Sequence, residues 1–167
     1  QINYLLHEML EKGCNYCFME VSSHALKQGR ISGLYFSGGV FTNITHDHLD
    51  YHNTFSEYRD VKKSFFDGLN NEAFALVNRD DKNGSKMLEG TKAKKFYYGL
   101  KSFADYRCKV LENQFEGMLL KIKNVDVWVR IIGDFNAYNI LSVYGVAKQF
   151  GMSDYEVLPT LSMLNSV

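Results

Sequence analysis

The sequence predicts an α/β fold: a mostly parallel sheet flanked by helices, with a small antiparallel subsheet. Three observations lead there. Short apolar runs of strand length alternate with segments of helical period through the first half of the chain, a pattern that needs crossover connections and so gives parallel neighbours. From about Lys95 to Ile132 short strand-like runs follow one another with no helix between them, which predicts an antiparallel ribbon. After Gly133 the helical period returns.

Taken in order, Leu5, Leu6, Met9 and Leu10 recur at helical spacing and Gly13 stops that helix. Tyr16 to Val21 reads as a buried strand. Leu34 to Phe36 and Val40 to Asn43 form a further apolar stretch punctuated by Gly33, Gly38 and Gly39, and Ala73 to Asn78 forms a third. Ser56 to Leu69 is the clearest helix, with Ser56 as N-cap and Tyr58, Val61, Phe65 and Leu69 on one face. The antiparallel part takes Phe96 to Tyr98, Tyr106 to Leu111, Met118 to Ile122 and Val125 to Ile132. A helix from Gly133 to about Phe150 ends at Gly151, and Ser153 or Asp154 caps a last one.

With 167 residues and 46% hydrophobic content the chain can bury one substantial core, so one domain is expected. Lys+Arg and Asp+Glu both total 19 without a block of like charge, which gives no support to a nucleic-acid partner. No apolar run approaches the roughly 20 residues of a membrane span, and no signal-peptide pattern opens the chain. Three cysteines do not suggest a disulfide framework. A soluble protein of the cytoplasm is the expectation. The chain opens on Gln1 in what reads as mid-helix, so it is expected to be cut from something longer.

Four places could carry chemistry. Glu20 closes an apolar run and is followed by Ser22, Ser23 and His24, which would put a carboxylate and two hydroxyls at the carboxyl end of a strand, where open α/β sheets bind ligands. Ser22 or Ser23 could equally cap a helix starting near His24, and the two readings are compatible. His46, Asp47, His48, Asp50 and His52 crowd one segment, a ligand set suited to divalent metals, yet without the His-x-x-x-His spacing of zinc hydrolases. The alternative there is a merely polar turn. Lys62 falls at about 40° from Tyr58 on the helical wheel, inside the apolar stripe, whereas Lys63 points away. A core-side lysine commonly snorkels; otherwise it is held for function, since partial burial in general makes an amine easier to deprotonate and modify. Cys14 and Cys17 form a Cys-x-x-Cys pair that reads as core or strand-edge residues, and Trp128 reads as packing.

Taken together, MEVSSHALKQGR (Met19 to Arg30), FTNITHDHLDYH (Phe41 to His52), YRDVKKSFF (Tyr58 to Phe66) and GDFNAYN (Gly133 to Asn139) resemble the Mur ligase family, in the order and spacing of its central, ATP-binding domain. EVSSHAL followed by Gln-x-Arg resembles the branch that adds the third amino acid, diaminopimelate or lysine, to UDP-N-acetylmuramoyl-L-alanyl-D-glutamate. The resemblance is weakest between Lys82 and Val125. It implies that Glu20 and His48 are magnesium ligands, that Ser22, Gln28 and Arg30 bind the UDP-muramoyl substrate, and that Lys62 becomes a carbamate, an anionic ligand for a second magnesium. Asn139, and with it Asn136, would contact the adenine of ATP. The implied reaction is attack of a substrate carboxylate on the γ-phosphate, giving an acyl phosphate that an amine converts to an amide.

The departures are as informative. No G-x-x-x-x-G-K-[ST] loop is present, and the family carries that phosphate loop just upstream of the stretch matched here. Residues 1–167 are therefore expected to be a partial central domain, truncated on its N-terminal side before the P-loop. The N-terminal UDP-binding and C-terminal amino-acid-binding domains would be absent, the fragment alone inactive and the parent enzyme monomeric. Asn53, Ser142 and Val143 depart from the residues usual in the family. Three other readings compete: a folylpolyglutamate or cyanophycin-type ligase, disfavoured by SSHALKQGR; a metal-dependent hydrolase built on His46 to His52; and a catalytically silent binding module, which would lose Glu20, His48 and Lys62.

Overall fold

The computed structural model describes residues 2–45 and 54–164. Six strands form one sheet in chain order: β1 (Gly38–Phe41), β2 (Phe74–Asn78), β3 (Lys94–Gly99), β4 (Tyr106–Gln114), β5 (Gly117–Ile122) and β6 (Val125–Val129). The first four are parallel and β4, β5 and β6 are antiparallel, so the antiparallel part expected from the uninterrupted strand pattern forms from β4 onward, whereas Phe96 to Tyr98, expected within it, lies in β3, parallel to both its neighbours. The β3–β4 join is parallel with no crossover helix. That is possible because only Tyr98↔Tyr106 and Gly99↔Arg107 pair, so β4 starts where β3 stops.

The helices are α1 (Ile2–Glu11), α2 (Ser23–Lys27), α3 (Phe55–Asp67), α4 (Gly84–Met87), α5 (Asp134–Gln149) and α6 (Asp154–Ser162). All five β2 residues are buried, and their alternation divides the core. Phe74 and Leu76 join Tyr144, Leu141 and Leu161 of α5 and α6 in one cluster, while Ala75 and Val77 join Tyr58, Phe66 and Met87 of α3 and α4 in the other. A strand buried on both faces between helices is what a continuous apolar run in a parallel sheet encodes.

Several local expectations are corrected. Tyr16 to Val21 is not a strand: it pairs with no strand among the described residues, and Tyr16 and Phe18 are 59% and 75% exposed. Apolar composition favours burial, but a strand exists only where a neighbour completes its backbone hydrogen bonds. Leu34 to Phe36 likewise carries no strand, and β1 begins at Gly38 and ends at Phe41, short of Asn43. Cys14 and Cys17 are exposed rather than core or strand-edge residues, because the strand that would have buried them does not form. Thr54, not Ser56, caps α3; its extended backbone lets Oγ1 accept from the Glu57 N–H at 3.1 Å. Lys63 does not point clear of the protein. Its side chain is 18% exposed and its ammonium donates to Asp67 one turn on, at 2.6 Å.

At the end of β2 the chain turns sharply, and α4 starts against the strand it has just left. A Cβ on Gly84 would overlap the carbonyl oxygen of Asn78, a backbone atom that cannot give way as a side chain could. Gly84→Ala is therefore expected to destabilise the chain by about 2–3 kcal/mol. A urea unfolding midpoint unchanged from wild type would contradict this.

Candidate functional site

The carboxyl ends of β1 and β2 and the amino end of α5 enclose a cleft of about 430 Å³. Thr42 and Asn43 come from β1's end, Asn78, Asp80 and Asp81 from β2's, and Phe135, Tyr138 and Asn139 from α5. This is the edge at which parallel α/β sheets bind ligands, since strand ends, loops and helix starts converge there. A smaller cavity of about 180 Å³, beside Tyr35 and Ala73, lies toward the opposite strand ends, with Glu72 as the carboxylate among its described lining residues.

The floor of the cleft is held by directional hydrogen bonds. Asn78 Nδ2 donates to the Thr42 carbonyl at 3.0 Å, joining the ends of β1 and β2, and Asn78 Oδ1 accepts from the Asp80 N–H at 3.0 Å. Tyr98 donates its hydroxyl proton to the Phe41 carbonyl at 3.2 Å. Asp81 accepts from the Ile44 and Asn83 N–H groups at 3.3 and 2.7 Å. Asp80 accepts from three consecutive N–H groups, Leu100, Lys101 and Ser102, and from the Tyr138 hydroxyl. Burial alone would raise the Asp80 pKa, but the Ser102 hydroxyl and these backbone donors outweigh it and hold the carboxyl well below the usual range. Burial, then the bond to Asp80, pushes Tyr138 up to about 12. Burial does the same to the Cys108 thiol, also to about 12, which leaves it an unreactive core residue.

The residues singled out from sequence fall in three places. Around α2, Ser22 is the N-cap, accepting from the Ala25 N–H at 3.2 Å as one of the two readings required. Gln28 is the C-cap of the same helix, and Glu20, Gln28 and Arg30 are exposed. Lys62 lies on α3, half-buried on the core side as the helical wheel predicts, with its ammonium 5.3 Å from the Tyr58 ring centroid. The α2 and α3 helices pack together and are joined by the Lys27–Glu57 ion pair at 2.8 Å, so the first two groups are neighbours. Asn136 and Asn139 belong to α5; Asn139 lines the cleft and Asn136 is not among its lining residues. His48, with His46, Asp47, Asp50 and His52, lies outside the described residues.

Asn136 and Asn139 form a short relay. Asn136 Nδ2 donates to the Ile132 carbonyl at 2.8 Å, which turns its Oδ1 the other way to accept from Asn139 Nδ2 at 3.0 Å. A carbonyl can only accept, so the network fixes both amide orientations. Asn139 is left with Oδ1 and one N–H, an acceptor beside a donor, unused by the described residues.

Among the described residues no group of three or more His, Cys, Asp or Glu side chains could hold a metal. Asp80 and Asp81 are occupied by protein donors. Glu20 makes no hydrogen bond or ion pair among those residues, so its carboxylate suits a hard cation and needs further ligands to hold one. The cleft residues Asn78, Asp80, Asp81 and Tyr138 are absent from the candidates drawn from sequence. The polar run Asn78-Arg79-Asp80-Asp81 directly after a buried strand is the same signal that singles out Glu20.

The comparisons agree with this geometry. The family model of the Mur ligase middle domain matches residues 1–147. The UDP-N-acetylmuramoyl-L-alanyl-D-glutamate–2,6-diaminopimelate ligase of Phocaeicola vulgatus is 57% identical over 99% of this chain and 34% of its own length. That of Parabacteroides distasonis is 54% identical over the same shares. A solved structure of a ligase of the same description superposes on 100% of this chain and 36% of its own, with a TM-score of 0.88 and 26% identity. The chain thus spans about a third of the length of the relatives it matches. With most of its length matched, and a cleft at the strand ends where such a fold binds its ligand, the chain belongs to the Mur ligase middle-domain family.

Proposed function

We propose that this chain is part of the central, nucleotide-handling domain of an ATP-dependent amide ligase that adds diaminopimelate to UDP-N-acetylmuramoyl-L-alanyl-D-glutamate. The observation that carries this reading is Asn139: it faces the cleft at the start of α5 with an acceptor and a donor side by side. That pair complements the N6 amino group and N7 of adenine, the pairing asparagine makes with this base elsewhere. The names of the relatives supply the substrate and, of the two amino acids the sequence left open, favour diaminopimelate.

In the reaction the substrate carboxylate attacks the γ-phosphorus, ADP leaves, and the amine of the incoming amino acid then displaces phosphate from the acyl carbon to form the amide. Asn139 would hold the base, with Asn136 orienting it. Ser22, Gln28 and Arg30, gathered around α2, would hold the UDP-muramoyl substrate. Glu20 and His48 would hold magnesium, which neutralises the crowded phosphate oxygens, and Lys62 as a carbamate would add a further oxygen ligand. The UDP-binding and amino-acid-binding domains would lie outside residues 1–167 in a monomeric, cytoplasmic enzyme.

The test is to incubate the complete enzyme containing this chain with ATP, magnesium, the UDP-muramoyl-dipeptide and single amino acids. Phosphate release that needs both the dipeptide substrate and diaminopimelate is expected. Release with no amino acid dependence, or phosphoester hydrolysis without ATP, would overturn the reading in favour of a hydrolase.

A further inference from the structure

Asp80 joins three pieces of chain distant in sequence. Its Oδ2 accepts from the N–H groups of Leu100 at 2.7 Å and Lys101 at 2.9 Å and from the Tyr138 hydroxyl at 3.0 Å, and its Oδ1 accepts from the Ser102 N–H at 2.8 Å. The turn after β3 wraps the carboxylate so closely that a Cβ on Gly99 would stand 3.2 Å from it. The end of β2, the β3–β4 turn and the first turns of α5 are thereby fixed to one ionised group.

The consequence falls on α5. Its buried face (Ala137, Ile140, Leu141) makes apolar contacts, which are non-directional and tolerate small slides and rotations of a helix. A hydrogen bond to a carboxylate is directional and short. Near the cleft the helix has, among the described residues, two such ties to the sheet side: the Tyr138 hydroxyl donates to Asp80, and Asn113 Nδ2 donates to Asp134 at 2.9 Å on the exposed surface. Tyr138 immediately precedes Asn139, so its tie sets the rotation at which Asn139 enters the cleft.

We propose that Asp80, acting through Tyr138, is a positioning residue that sets Asn139 at the register needed to read the nucleobase. The inference rests on the reading of the cleft as a nucleotide site. It goes beyond that reading by placing part of base discrimination in the tie between Asp80 and Tyr138 and not in Asn139 alone.

The test measures magnesium-ATP and magnesium-ITP binding to the complete ligase by calorimetry, for wild type, Tyr138→Phe, Asn139→Ala and the double variant. Inosine carries an oxygen where adenosine carries the N6 amino group, so the ATP/ITP affinity ratio reports base reading and not general weakening. Tyr138→Phe keeps the ring and removes only the hydroxyl; it is expected to lower the ratio about fivefold. Asn139→Ala should lower it about tenfold or more, and the double variant no further than Asn139→Ala alone, because Tyr138 acts through Asn139. A ratio unchanged in Tyr138→Phe but lowered in Asn139→Ala overturns the positioning role and leaves the nucleotide site standing. So does strict additivity in the double variant. A ratio unchanged in Asn139→Ala itself removes the nucleotide reading on which the inference rests.

Discussion

Lys62→Ala in the complete ligase is expected to lower amide formation about a hundredfold, the scale on which removing a residue that supports a metal or a developing charge is felt. Two adjacent lysines differ in their partners. Lys63 is neutralised by Asp67 at 2.6 Å, whereas Lys62, on the core side of the same helix, has only the Tyr58 ring at 5.3 Å and no carboxylate among the described residues. A half-buried amine with no counter-charge among the described residues is poorly accounted for by them as a structural cation. It is well placed for conversion into something else. Addition of the neutral amine to carbon dioxide forms one N–C bond, releases one proton and would turn the cation into an anionic oxygen ligand, reversing the local charge at the place proposed for magnesium. Wild type stripped of bicarbonate should therefore lose activity and regain it when bicarbonate returns. The alanine variant should respond to neither. If Lys62→Ala keeps half of wild-type activity, or if wild type is indifferent to bicarbonate, the carbamate proposal is wrong and Lys62 is a snorkelling lysine resting on Tyr58.

Much of this was legible in the sequence where pattern and punctuation agreed. The helix at Phe55–Asp67, the buried strand at Phe74–Asn78 and the antiparallel run from Tyr106 to Val129 combine a clear period with turn residues at their ends. Tyr16 to Val21 has the right composition but no punctuation that names a partner, and a strand is defined by its partner. The α3 cap was readable: Thr54-Phe55-Ser56-Glu57 is a capping-box spacing, and it outranks a lone serine two residues inside the helix. Ser153 and Glu156 form the same box at α6. The helical period located Lys62 on α3 and the family motif singled out Asn139, but no local rule could find Asp80's partners. Leu100 and Tyr138 lie 20 and 58 residues away, and only the sheet order brings them to the end of β2.

The largest stability effect should come from that same carboxylate. Asp80→Asn keeps the shape but removes the charge, and it sets an amide N–H₂ against backbone N–H donors that have no other acceptor in place. Hydrogen bonds to an ionised group contribute roughly 1.5–3 kcal/mol each, and a partly exposed site lets water replace some of them, so a net loss of about 3–4 kcal/mol is expected at neutral pH. The loss must depend on pH in one direction. The folded-state pKa of Asp80 lies below that of an ordinary aspartate, near 3.9 in the unfolded chain. Above about pH 5 both states are ionised and the full stabilisation is present; as pH falls below about 4 the unfolded chain takes up the proton first, and the contribution shrinks toward the depressed folded value. The difference in unfolding free energy between wild type and Asp80→Asn should thus be flat from pH 7 to about 5 and narrow steadily below 4. Asp154, also lowered by its bonds from Lys123, Lys148 and Tyr144, titrates in both proteins and cancels in the difference, because none of these contacts is shared with Asp80. Urea denaturation of both chains across this range measures the difference directly. A gap that stays constant down to pH 2 would mean that the Asp80 hydrogen bonds hold the turn by shape alone and not by charge.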